Sequence, residues 1–327
     1  MVNRNASASA FGWDFQANAA LVLMLDNIEN AESIRVEGNE DIEIFLNDQR
    51  KIYAQAKSVM KADDYSNVNR NLIGALETLN DDSRKEDGDR FTYVTNSPNP
   101  FNNQTTMSYF YGNTHLLYDE LPDVARRKIV DLITKNSFTK IDLEKFDVRI
   151  IPFIGEDLKN RYKCILESVD YFLHKIDVAE AGVNIEILER WQQDFFHNAT
   201  LPDTEIAISK EQMIWPLIVI VVNRVSAREY KSDYDDDEAE ELEQKYKALI
   251  NFYSMRYEMI AKVVNSYVES GEGRTKKFVE RHWREYMDIV EGIDTDSDSR
   301  ESLIKIILYR ILTQKDQINK IKKGVHL

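Results

Sequence analysis

The sequence predicts an α/β domain over residues 1–155 followed by an all-α domain over residues 156–327. Three observations predict it. Between Ser33 and Val59, three short runs rich in β-branched and aromatic residues follow one another across polar turns. Helical and strand-like periods then alternate as far as Ile154. Beyond Gly155 the pattern stays helical to the end.

The elements follow in order. FQANAALVLMLDNIENA repeats apolar residues at Phe15, Ala19, Leu21, Val22, Leu25 and Ile28, and Asp14 precedes it as a candidate N-cap. SIRVEG, DIEIFLND and KIYAQAKSV read as three strands. VNRNLIGALETLND is an amphipathic helix, and RFTYVTN is a strand stopped by SPNPFNN. PDVARRKIVDLITKN is a helix with proline at its first position, and DVRIIPFI is a strand that Pro152 confines to an edge or terminates. The later helices include MIWPLIVIVV, read as a buried helix of the second domain, and the long run from Glu238 to Ser270.

Composition narrows the function classes. The chain has 327 residues, 43% of them hydrophobic, with a single cysteine, Cys164. One thiol excludes an internal disulfide framework and fits a reducing, cytoplasmic setting. The polar start lacks a signal-peptide pattern, and MIWPLIVIVV falls far short of the roughly 20 residues a membrane span needs. The net charge of -15 argues against a protein that coats nucleic acid unaided, though a local basic cleft is compatible with it. Five scattered histidines show no HxH or HExxH spacing, and no Gly-rich phosphate loop occurs, so zinc chemistry and an intrinsic ATPase are both disfavoured.

Chemistry concentrates in EDIEIFLNDQRKIYAQAK, residues 40–57. In an extended strand Tyr53, Gln55 and Lys57 share one face, and Asp41 and Glu43 share a face of the preceding strand. If the faces coincide, a carboxylate, an amide oxygen and an ammonium converge, which suits a hard divalent cation acting on a phosphate ester. Coincidence requires a parity condition: Asp41 must oppose an odd-numbered residue, so the hairpin loop has an odd length or the strand a bulge. The alternative is a merely solvated strand end.

GWDFQANAALVLMLDNIENAESIRVEGNEDIEIFLNDQRKIYAQAKSV, with the later FTYVTNS, resembles the nuclease domain of bacterial anti-phage effectors of the PD-(D/E)xK superfamily. These include CD-NTase-associated double-stranded DNA endonucleases and the nuclease subunit of Lamassu-type, ABC three-component systems. The resemblance covers roughly the first half of the chain and implies a restriction-endonuclease-like fold, a mixed central sheet flanked by helices. By that resemblance Asp41 is the metal-binding aspartate, Lys57 the catalytic lysine, and Gln16 a helix residue approaching the same site. Gln55 stands where many relatives carry glutamate, so Glu37, Glu40 or Glu43 is expected to help hold Mg²⁺ (or Mn²⁺). The implied partners are double-stranded DNA, an SMC-like ATPase subunit and a small accessory subunit, with a homo-oligomer on activation and no membrane. Two basic clusters are candidate DNA-phosphate contacts: Arg274, Lys276, Lys277, Arg281 and Arg284, and Lys315, Lys320, Lys322 and Lys323. The competing readings are a stand-alone restriction-type nuclease and a non-catalytic scaffold that keeps the nuclease fold.

Overall fold

The computed structural model describes residues 6–38, 40–178, 181–232, 234–250, 256–291 and 296–327. These form two compact units, one from Met1–Leu173 with Leu188–Lys210, the other from His174–Ile187 with Glu211–Leu327.

The first unit is built on α1 (Ala6–Asp26), the meander β1 (Ala31–Val36), β2 (Ile42–Leu46) and β3 (Lys51–Lys57), then α2 (Val68–Asp82) and β4 (Gly88–Thr95). It continues through β5 (Thr114–Leu117), α3 (Asp123–Asn136) and β6 (Phe146–Ile150). The sheet has seven strands in the order β5-β6-β4-β3-β2-β1-β7, where β7 is Ile208–Ser209. It is mixed: β3, β4 and β6 run parallel, joined by segments that contain α2 and α3, while both flanks are antiparallel. Tyr53, Phe91 and Tyr93 bury one face of the sheet under Leu72, Leu76 and Leu79 of α2 and Ala125 and Ile129 of α3. The helix α1 packs against β1, β2 and β3, and Ile52 and Ala54 are buried outside the α2 cluster, so α1 takes their face.

Three expectations are corrected. First, α1 begins at Ala6, not after Asp14. Ala8 and Ala10 favour the helix, and Phe11 anchors the added turns by stacking on Phe153 at 5.8 Å. Asp14, now inside the helix, accepts from Asn18 and from the Tyr162 hydroxyl. Second, of the two readings of Pro152 the edge is excluded and the strand end stands, because β6 is an interior strand that stops at Ile150. Third, the units do not part at Gly155. Parts of α4 (Lys163–Lys175) and α5 (Val183–Ala199) belong with the sheet: Trp191 packs on Phe172, Gln192 donates to Asn18, and Asn198 accepts from the Val36 N–H. Gly155 itself is a close approach, since a Cβ there would lie 2.9 Å from the Met60 carbonyl oxygen.

Among its described residues the second unit is helical, as expected: it holds most of α6 (Lys210–Asn223), then α7 (Asp236–Ile250), α8 (Arg256–Ser270), α9 (Thr275–His282), α10 (Ser297–Thr313) and α11 (Lys315–Gly324). Residues 251–255 of the long helical run lie outside the described residues. The helix α10 is buried on most sides through Leu303, Ile304, Ile306, Ile307, Leu308, Ile311 and Leu312, and it packs against α7, α8 and α9. Arg310 is buried with it, paired to Glu243 at 2.9 Å and lying 4.2 Å over the Tyr246 ring. The run MIWPLIVIVV is buried in α6, as expected. Among the described residues no helix is long and apolar enough to cross a membrane.

Candidate functional site

The β2–β3 hairpin meets the parity condition. Its pairs are Ile42–Ala54, Glu43–Tyr53, Ile44–Ile52 and Phe45–Lys51. The Leu46 N–H donates to the Arg50 carbonyl at 2.8 Å, leaving a three-residue loop, Asn47 to Gln49. Gln49 closes it in the left-handed region at φ 70. Continuing the register by one pair sets Asp41 against Gln55.

Side chains complete the convergence. Asp41 Oδ2 accepts from Lys57 Nζ at 2.8 Å and from the Ala56 N–H at 2.9 Å. Lys57 Nζ also donates to Gln55 Oε1 at 3.1 Å. The Asp41 carbonyl is itself held twice, by Gln16 Nε2 of α1 at 2.7 Å and by the Glu37 N–H at 3.0 Å. Glu37 adopts a left-handed φ of 56 to close that turn. Asp41, Gln55, Lys57 and Gln16 are thus brought together.

The three glutamates separate. Burial pushes the Glu37 carboxyl up, and a hydrogen bond from Gln16 partly opposes it, so Glu37 stands beside the cluster. Glu40 faces away from Lys57: it accepts from Gln55 Nε2 at 3.0 Å and from Lys85 Nζ at 2.9 Å. Glu43 is buried against Arg35 at 3.7 Å, opposite Tyr53, and burial raises its carboxyl too. Among the described residues, no three His, Cys, Asp or Glu side chains gather as a metal site.

The donor set that remains nevertheless fits a hard cation. A carboxylate oxygen and an amide oxygen turn toward one point, and the ammonium of Lys57 occupies it as a cation does. Two of that ammonium's three N–H groups are used in this way.

Behind Glu40 lies a group the sequence did not reveal. Asp82, at the end of α2, is 1% exposed, and its Oδ1 accepts from Lys85 Nζ at 2.6 Å. Burial, reinforced by the neighbouring Glu40, pushes its carboxyl up to about 8. The folded state therefore holds this proton more tightly than the unfolded chain, whose aspartates titrate near roughly 4. Stability from this group is full below that value and is lost as pH rises through about 8. Asp82→Asn is expected to flatten the stability curve over this window, by on the order of 2–5 kcal/mol, in thermal unfolding followed against pH.

Asn96 directly follows β4, and its type alone gives no signal of a structural role. It is 1% exposed and makes three backbone hydrogen bonds, with the Val59 N–H, the Val59 carbonyl and the Phe153 carbonyl. It fixes the segment that leaves β3 directly after Lys57.

The basic clusters are largely neutralised by acidic neighbours in the second unit. Lys276 pairs with Glu229 at 2.6 Å, Lys277 with Glu272 at 2.9 Å and Arg281 with the same Glu272 at 2.5 Å. Lys320 pairs with Asp177, Lys315 lies 3.7 Å from Asp316, and Arg284 stacks on Trp283. Arg274 precedes α9, and Lys322 and Lys323 lie in its last-numbered companion α11. Cys164 is buried, and burial raises its thiol to about 12, as suits an inert core cysteine.

Comparison with protein-family models gives no match, and comparison with curated proteins gives none. Among solved structures the chain is similar to a Cap4 SAVED/CARF-domain containing receptor from Moraxella osloensis, at 16% identity and a TM-score of 0.37. The alignment covers 63% of this chain and 47% of that one, and a likeness at this level carries no argument about activity.

Proposed function

We propose that the chain is a metal-dependent DNA endonuclease with a restriction-endonuclease-like domain, acting as the effector of a multi-protein anti-phage complex. The observation that carries the reading is the convergence of Asp41, Gln55 and Lys57 across the β2–β3 hairpin. The element order helix, three-stranded meander, helix and parallel strand, with β4 beside β3, supports the fold assignment. Association with an SMC-like ATPase and an accessory subunit rests on the sequence resemblance, and so does oligomerisation on activation.

Bound magnesium or manganese would supply Lewis-acid activation of the phosphodiester and neutralise its charge. Asp41 and Gln55 would hold it through their oxygens. With a metal at that point the Lys57 ammonium would move off it, and its N–H groups would then hold the attacking water or a non-bridging phosphate oxygen. Gln16 and the Ala56 N–H keep Asp41 from turning away.

The test is cleavage of supercoiled plasmid by the purified chain at low salt, where phosphate contacts are strongest. Nicked and linear products are expected with Mg²⁺ or Mn²⁺, none with a chelator, and none from Asp41→Ala. A neutral amide at position 55 and a Lys57 already paired to Asp41 favour the scaffold as second reading. Absence of cleavage under every divalent cation, with the wild-type chain folded, would decide for the scaffold.

A further inference from the structure

Gln55 has a single side-chain orientation that satisfies both of its neighbours. The ammonium of Lys57 has donors and no acceptor, so the Gln55 atom facing it at 3.1 Å is the oxygen. An ionised Glu40 has acceptors and no donor, so the Gln55 atom facing it at 3.0 Å is the nitrogen. Two neighbours of opposite hydrogen-bonding character therefore orient one amide in the same sense. Glu40 is in turn fixed by Lys85, whose Nζ lies 2.9 Å from its other oxygen, 2.6 Å from Asp82 and 4.3 Å over the Tyr53 ring. Gln55 is 3% exposed, so little water competes for these bonds.

We propose that Glu40 is a positioning residue: held by Lys85, it turns the Gln55 amide so that Oε1 faces the point shared by Lys57 and Asp41. This role rests on the reading of that point as catalytic. It also gives a physical reason for glutamine at position 55. A glutamate there would set one carboxylate against another, with no proton donor between them.

The row Lys85, Glu40, Gln55, Lys57, Asp41 alternates donors and acceptors without a break. One other arrangement preserves the alternation, the exchange Glu40→Gln with Gln55→Glu. The new amide then gives its oxygen to Lys85 and its N–H to the new carboxylate, whose second oxygen takes Lys57. Each single change breaks the row. Glu40→Gln alone draws the Gln55 oxygen toward the new amide and turns its nitrogen against the Lys57 ammonium. Gln55→Glu alone opposes two carboxylates.

The experiment is a double-mutant cycle on the full chain, read by thermal unfolding, by calorimetric Mn²⁺ binding and by plasmid cleavage. Glu40→Gln is expected to lower the unfolding midpoint by about 5 °C in the native background and to raise it in the Gln55→Glu background. Its effect on Mn²⁺ affinity is expected to reverse sign in the same way, with a loss of about tenfold in the native background, equivalent to the 1.4 kcal/mol of one decade. A residue that merely fills space would have the same effect in both backgrounds, and that result overturns the proposal. If the cycle reverses sign while the wild-type chain cuts no DNA, the orientation of Gln55 by Glu40 stands and the nuclease reading falls. If cleavage is metal-dependent and the cycle is additive, the nuclease reading stands and the positioning role falls.

Discussion

Lys57→Ala is expected to lower plasmid cleavage by roughly 10²–10⁴-fold, the range of a positioned proton-transfer or charge-stabilising group. The same change is expected to leave the fold almost untouched. The Lys57 and Asp41 side chains are 30% and 23% exposed, and a partly solvated pair of this kind contributes at most about 1 kcal/mol. Asp41 keeps its bond from the Ala56 N–H, and its carbonyl keeps the bond from Gln16, so the aspartate does not lose its place. Loss of cleavage with an unchanged unfolding midpoint separates chemistry from stability. Cleavage retained by Lys57→Ala would remove the lysine from the mechanism. Lys57→Arg is a useful companion, because its wider planar head does not match the single point between Asp41 and Gln55.

The largest stability effect is expected at Asn96. Replacing it with alanine strips the Val59 N–H, the Val59 carbonyl and the Phe153 carbonyl of their partner in a place water does not reach. With three buried backbone groups left unpaired, the cost is about 3–5 kcal/mol, measured as a shift in the urea unfolding midpoint at constant slope. Asn96→Asp offers no rescue: it keeps the acceptor for Val59 but turns a carboxylate oxygen toward two carbonyls. A cost below about 1 kcal/mol would mean that these contacts do not hold the segment after β3. Because that segment begins one residue beyond Lys57, a loosened Asn96 variant is also expected to cut DNA more slowly before it unfolds.

Much of the candidate site was legible because strands are regular. Alternation places Gln55 and Lys57 on one face whatever the rest of the chain does, and the parity of the loop follows once Asp41 is to join them. The left-handed Gln49 that closes the loop was not legible, since glutamine is no signal for that conformation. Two strands likewise carry no sequence signal. Residues 114–117, THLL, and 208–209, IS, are too short to show a period, and only their pairing with β6 and β1 makes them strands. The true start of α1 is not local information: an aspartate ahead of an apolar run has the form of an N-cap, while the Phe11–Phe153 contact that extends the helix joins residues far apart in sequence.

Glu40 shows where local reading ends. As a sequence neighbour of Asp41 it was one of three glutamates equally placed to help hold a cation. Its partner Lys85 comes from the turn beyond α2, is itself held by Asp82 at the far end of that helix, and draws the Glu40 carboxylate to the side of Gln55 away from Lys57. By itself the sequence determined the succession of helices and strands, and which residues of the hairpin share a face, because period and loop parity are properties of the chain over a few residues. Only the tertiary structure decided the sense of the Gln55 amide, the role of Glu40 and the anchoring by Asn96. Each of these depends on hydrogen-bond donors and acceptors that distant segments bring into a dry interior, where an unmatched polar group is too costly to leave alone.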